Sequence, residues 1–153
     1  MLKKNGGQPE QALGRSRGGF STKIHITVDA LGNPLRLRLT AGQRHDSIEA
    51  PDMIADFEFE HIIADRGYDS QDFIDLVLES GATPVIPSKK NAKNPRDYDR
   101  WLYRERHLVE YFINKIKHFR RIFSRFDKLA RRYLGFLQFV SALIWLRWNV
   151  NTT

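Results

Sequence analysis

Three features of the sequence predict an α/β fold. Strict alternation of apolar and polar residues marks two consecutive strands, at 21–28 and 35–39, joined by the turn residues of 30–34. Two short apolar runs, at 61–65 and 83–87, alternate with stretches of helical period. Two longer helical stretches, 103–117 and 133–150, close the chain. The predicted order is strand, strand, helix, strand, helix, strand, long helix, helix: a hairpin followed by crossover units.

Residues 1–19 are polar and glycine-rich, ending in GRSRGG, and read as a flexible lead-in to a domain over 20–150. Arg15 and Arg17 there either contact phosphate or belong to a solvated loop. In the hairpin, Ile24, Ile26 and Val28 point one way and Lys23, His25 and Thr27 the other. The second strand repeats the pattern, with Leu35, Leu37 and Leu39 apolar and Arg36 and Arg38 polar. One buried face follows, and His25 is expected as a half-exposed strand histidine, not a metal ligand. Asp46 or Ser47 can cap a short helix over 48–56, with Pro51 in its first turn. Ser70 can cap the next, whose residues Phe73, Ile74, Val77 and Leu78 lie on one side and which Gly81 ends. The loop KKNAKNPRDYDR at 89–100 is charged and has no apolar pattern, and long loops of this kind are functional or disordered.

A chain of 153 residues supports one domain with a sizeable core. Its net charge of +7 points to a polyanionic partner, nucleic acid before anionic membrane, and most basic clusters fall between 89 and 132. With no cysteine there is no disulfide framework and no thiolate metal site, which agrees with a reducing compartment. The polar start MLKKNGGQPEQ lacks the apolar stretch of a signal peptide. Residues 133–146 are the candidate membrane segment. As a helix they reach roughly 21 Å, against a hydrocarbon core of roughly 30 Å. Gly135, Gln138 and Ser141 interrupt the run, so a buried core helix is expected.

The stretch YRERHLVEYFINKIK at 103–117 reads as a helix with two faces. At about 100° per residue, Tyr103, Arg106, Glu110, Asn114 and Lys117 share an arc of roughly 80°. Val109, Phe112, Ile113 and Ile116 form a core-facing stripe that continues through Phe119 and Phe123. A carboxylate flanked by Tyr, Arg and Lys on a basic helix suits a phosphate-and-metal site; an ordinary solvated face with an ion pair is the other reading. Asp65 is the second acid to single out. At the carboxyl end of a buried strand it either projects into the crevice where open α/β sheets bind ligands or caps the turn through Gly67. A strand-end Asp and a helix Glu can converge on Mg²⁺, which takes hard oxygen ligands and keeps some of its waters. Two-metal phosphoryl chemistry needs such carboxylates. Arg106 and Lys117, one turn above and two turns below Glu110, can meet phosphate.

Tyr103, Arg106, Glu110 and Lys117 fit Y-x2-R-x3-E-x6-K without deviation, and this resembles the signature of bacterial insertion-sequence DDE transposases of the insertion sequence five superfamily. GRSRGGFSTKIH at 14–25, VDALGNPLRL at 28–37, ADRGYD at 64–69, PVIPSKKN at 84–91 and FRRIFSRFDKLARRYLGFL at 119–137 agree with it. The resemblance covers nearly the whole chain from Gly14. It implies a ribonuclease H-like catalytic fold with C-terminal helices, and Mg²⁺-dependent cutting and joining of DNA. Asp65 would be the second and Glu110 the third acid of a catalytic triad holding two metal ions. Tyr103, Arg106, Lys117, Arg120 and Arg121 would contact DNA or phosphate. Water and then a DNA 3′-hydroxyl would attack phosphodiester bonds at the element's ends. The partners implied are element-end and target DNA and further copies of the chain, in the bacterial cytoplasm at the nucleoid, with no membrane role.

One departure stands out. Family members carry the first catalytic Asp on a strand upstream of the GRSRGG-like segment, whereas MLKKNGGQPEQAL contains no Asp and no strand pattern. Asp29, where the first hairpin strand meets its turn, is a poor substitute. The expectation is therefore a fold lacking its first, central strand, with unpaired edges that invite association. The chain would be inactive alone and completed by an upstream-frame polypeptide or fusion, unless it is a decayed copy. The alternative function is a non-catalytic DNA-binding fragment that inhibits or regulates transposition, for which Lys115, Lys117, Arg120, Arg121 and Arg125 would serve equally through counterion release.

Overall fold

The computed structural model describes residues 14–16, 19–119 and 130–150. The chain divides into two compact units, one of residues 1–44 with 109–153 and the other of residues 45–108.

The first unit is built on the predicted hairpin. Strands β2 (Gly19–Val28) and β3 (Pro34–Ala41) pair antiparallel, with Ile24 opposite Leu39 and Ile26 opposite Leu37. A short strand β1 (Gly14–Ser16) pairs antiparallel to β2, so strand pairing begins inside the stretch read as lead-in. The period-2 pattern places Ile24, Ile26, Val28, Leu37 and Leu39 against a buried cluster of Phe112, Ile116, Leu137 and Val140. Those four come from helices α3 (His107–Lys117) and α4 (Ala130–Val150). Leu35 departs from the expected face. The register slips between Thr27, opposite Arg36, and Val28, opposite Pro34, leaving Leu35 as the extra residue of a bulge and 44% exposed.

His25 corrects a second expectation: it is buried, at 2% exposure, and its Nε2 lies 2.8 Å from Thr40 Oγ1. Thr40 sits opposite Lys23 and is thus the diagonal neighbour of His25 on the polar face. Alternation assigns a face but not what covers it. Asp29 closes the hairpin turn. Its carboxylate accepts the amides of Leu31 and Asn33 and the Asn33 side-chain NH₂, at 2.8–3.0 Å, while Gly32 takes a positive φ of 81°. Phe123 lies outside the described residues, as does Arg17. No helix among the described residues is long and apolar enough to cross a membrane.

In the second unit, β4 (His61–Ile63) and β5 (Thr83–Val85) pair in parallel across helix α2 (Gln71–Glu79), a crossover unit as predicted. Phe73, Ile74 and Val77 of α2 bury against Ala50, Ala82 and Ile86. Ser70 Oγ accepts the Phe73 amide at the start of α2, and Gly81, at φ 82°, follows its end. Leu78 lies at the rim of the stripe and is 54% exposed. Helix α1 (Asp46–Ile54) starts earlier than predicted: His45 is the N-cap and makes no side-chain cap bond, so neither Asp46 nor Ser47 caps it and Pro51 lies in its second turn.

The stretch at 103–117 is not one uniform helix. Leu102–Arg106 is a 3-10 turn that passes into α3 at His107. Asp99 caps the start of this segment, its Oδ1 accepting the amides of Trp101 and Leu102 at 2.8 Å, and the tighter winding shows in the Arg104 amide, which donates to the Trp101 carbonyl three residues back at 3.2 Å. At three residues per turn Tyr103 and Arg106 stack one above the other.

Candidate active site

The described geometry centres on Asp65. The ladder holds the chain almost to it, since the Ala64 amide donates to the Val85 carbonyl just beyond the end of β4. Asp65 is extended, at φ −76° and ψ 170°, and is the N-cap of the 3-10 turn Arg66–Tyr68. Its Oδ1 accepts the Gly67 amide at 2.8 Å. Its Oδ2 stands 3.9 Å from the Arg106 guanidinium, with the two side chains 45% and 35% exposed. The two roles read from the sequence are thus divided between two oxygens: one caps the turn and the other faces solvent and a cation. A half-exposed ion pair at that separation is worth about 0–1 kcal/mol. It adds little to stability and leaves Oδ2 free to exchange its partner.

Gly67 is hemmed in by acids. A Cβ there would lie 2.8 Å from both Asp65 Oδ1 and Asp46 Oδ2. Tyr68, next in the turn, has its hydroxyl pushed above the ordinary tyrosine value by burial first, then by Asp46, Asp65 and Glu49. Burial also raises Tyr103; Asp65 and Tyr98 add to the effect, and Arg106 and Arg66 oppose it. The Tyr98 ring meets Tyr103 edge-on, with centroids 5.4 Å apart. Both phenols therefore remain neutral hydrogen-bond donors at neutral pH.

Of the predicted site residues, Asp65, Tyr103 and Arg106 come together in this unit. Glu110 and Lys117 lie exposed on α3, Glu110 in its first turn. Arg120, Arg121 and Arg125 lie outside the described residues. The donor chemistry at Asp65, a hard oxygen whose partner oxygen is fixed, fits Mg²⁺. Among the described residues no group of three or more His, Asp or Glu side chains is placed to hold a metal ion.

Asp46, Gly67 and Tyr98 escaped the sequence reading. The glycine was taken only as a turn residue, and nothing local to Asp46 signals a neighbour some twenty positions on. Asp69 was missed as well. It is 8% exposed, accepts the Lys89 amide at 2.7 Å and pairs with the Arg96 guanidinium.

Comparison with known proteins decides the family. The family described as transposase DDE domain matches residues 3–150. The chain belongs to that family. This DDE transposase chain is 37% identical over 131 residues to a Brucella ovis protein assigned as the transposase for insertion sequence element IS6501, across 84% of the chain and 100% of that relative. It is 31% identical over 147 residues to a Burkholderia cepacia protein assigned likewise to insertion sequence element IS402, across 88% of the chain and 65% of that relative. The membership is therefore of the insertion-sequence kind. No solved structure matches the chain.

Proposed function

We propose that the chain supplies catalytic-domain residues for Mg²⁺-dependent DNA strand cleavage and strand transfer at insertion-sequence ends, on a ribonuclease H-like fold. Asp65 and Glu110 are the metal-holding acids in this reading. When bound, Mg²⁺ would neutralise charge building on the phosphodiester and promote ionisation of the attacking hydroxyl. Asp65 presents Oδ2 because Gly67 holds Oδ1. Arg106, whose guanidinium lies 3.9 Å from Asp65 Oδ2, can transfer from the carboxylate to a phosphate oxygen. Tyr103, kept protonated, donates its O–H to the same backbone. Lys117, Arg120 and Arg121 neutralise further phosphates. Water attacks phosphorus and frees a 3′-hydroxyl, and that hydroxyl then attacks a target phosphodiester. The working form is a homo-oligomer on DNA.

The observation that carries this reading is Asp65 itself: a carboxylate at the carboxyl end of a parallel strand, with one oxygen pinned and one open beside Arg106, in a chain of the DDE family. The test is Mg²⁺-dependent cleavage of DNA bearing the element's ends, with the chain alone and with an Asp-bearing upstream polypeptide added. Loss of cleavage in Glu110→Gln with DNA binding retained supports the reading. Cleavage that survives both Asp65→Asn and Glu110→Gln contradicts it.

A further inference from the structure

The charged loop that follows β5 has a fixed scaffold. Asp69, nearly buried, accepts the Lys89 amide on Oδ2 at 2.7 Å and the Arg96 guanidinium on Oδ1. Ser88 Oγ accepts the Arg96 amide at 2.9 Å, and the Lys89 carbonyl accepts the Ala92 amide at 3.0 Å. Residues 88–96 are thereby closed at both ends on one carboxylate. The Asp69 side chain is 10% exposed and that of Arg96 33%, so desolvation of the carboxylate offsets much of the attraction and the pair is poorly explained as a stability device. What it does is hold geometry.

The pairing also sorts the charges. Asp69 neutralises Arg96, while Lys89, Lys90 and Lys93 stand exposed, with no acidic residue between Ile86 and Arg96. Three ammonium groups within five positions, on a loop whose feet are tied, form a preset cationic surface. Lysine is a point charge on a flexible stem, suited to phosphate oxygens and indifferent to base sequence. We infer that the Asp69-clamped loop is a phosphate-backbone contact for DNA, carried by Lys89, Lys90 and Lys93, with Asp69 and Arg96 as its positioning residues. The inference rests on DNA being the partner, as proposed above, but not on Asp65 or Glu110 holding metal.

The experiment measures binding of the full chain to a generic DNA duplex in EDTA, over roughly 50–200 mM salt. Each phosphate contact contributes about 0.9 to the slope of log K against log salt, so Lys89→Gln/Lys90→Gln/Lys93→Gln is expected to flatten it by roughly 2–3. Asp69→Asn keeps the lysines but frees the loop. It is expected to weaken binding and to speed backbone amide exchange over 88–96, with Arg96→Gln giving the same pattern. The single changes Lys90→Gln and Lys93→Gln, both at exposed positions, guard against misfolding and should each flatten the slope by about 0.9. An unchanged slope in the triple variant overturns the inference. So does retained DNA binding with lost binding to anionic phospholipid vesicles, which would assign the loop to a membrane surface. Because no metal is present, failure of the metal-site reading would leave this slope untouched.

Discussion

Asp65 Oδ1 accepts the backbone amide of Gly67 at 2.8 Å and also lies 2.8 Å from the point where a Cβ on Gly67 would stand. The hydrogen bond and the absent side chain are therefore one requirement: the carboxylate can take this orientation only while residue 67 is a glycine. Gly67→Ala pushes a methyl between the Asp65 and Asp46 carboxylates. Both are ends of short side chains that can rotate, so the stability cost should stay near 1 kcal/mol. The orientation of Asp65 should be lost with it. Thermal unfolding set against Mg²⁺-dependent cleavage checks this: a small Tm shift is expected together with a cleavage loss of tenfold or more.

Arg106 invites the opposite comparison. Its pairing with Asp65 is half exposed and long, so Arg106→Gln should change stability by less than about 1 kcal/mol. If the guanidinium meets DNA, the same substitution weakens binding to element ends and lowers its salt dependence by about one contact. Urea unfolding and a salt-titrated binding isotherm on the same variant separate the two effects.

How far the sequence carried this picture depends on the range of the forces involved. The hairpin, the Ser70 cap and the Gly81 stop were legible because alternation, capping and positive φ are local. The position of Asp65 was legible for the same reason, as an acid ending an apolar run. His25 was misread because burial on a polar face depends on what packs there. The winding at Tyr103 and Arg106 was misread because side-chain spacing does not separate a short 3-10 segment from the α-helix it leads into. The clamp of Asp69 on Arg96 spans 27 positions, and no periodicity records it.

Alkaline pH should report the acids around Tyr68. Its hydroxyl is raised above the ordinary value of 10.0, chiefly by burial and then by Asp46, Asp65 and Glu49. In that range the unfolded chain releases the proton while the folded chain keeps it. Stability is therefore whole below pH 10 and falls as pH rises toward the folded-state value. Tyr68→Phe removes that proton, so its Tm should decline less steeply above about pH 10 than that of the unsubstituted chain. Absorbance titration of tyrosinate should lose one late-ionising component in the same variant.

Metal binding by Asp65 and Glu110 can be read by letting Fe²⁺ take the place of Mg²⁺ and generate hydroxyl radicals in the presence of ascorbate and peroxide. The expected result is polypeptide cleavage near residues 65 and 110, suppressed by excess Mg²⁺. Asp65→Asn should remove the cuts near 65, and Glu110→Gln those near 110. Cleavage that misses both segments, or that persists unchanged through Mg²⁺ and both substitutions, would contradict the claim.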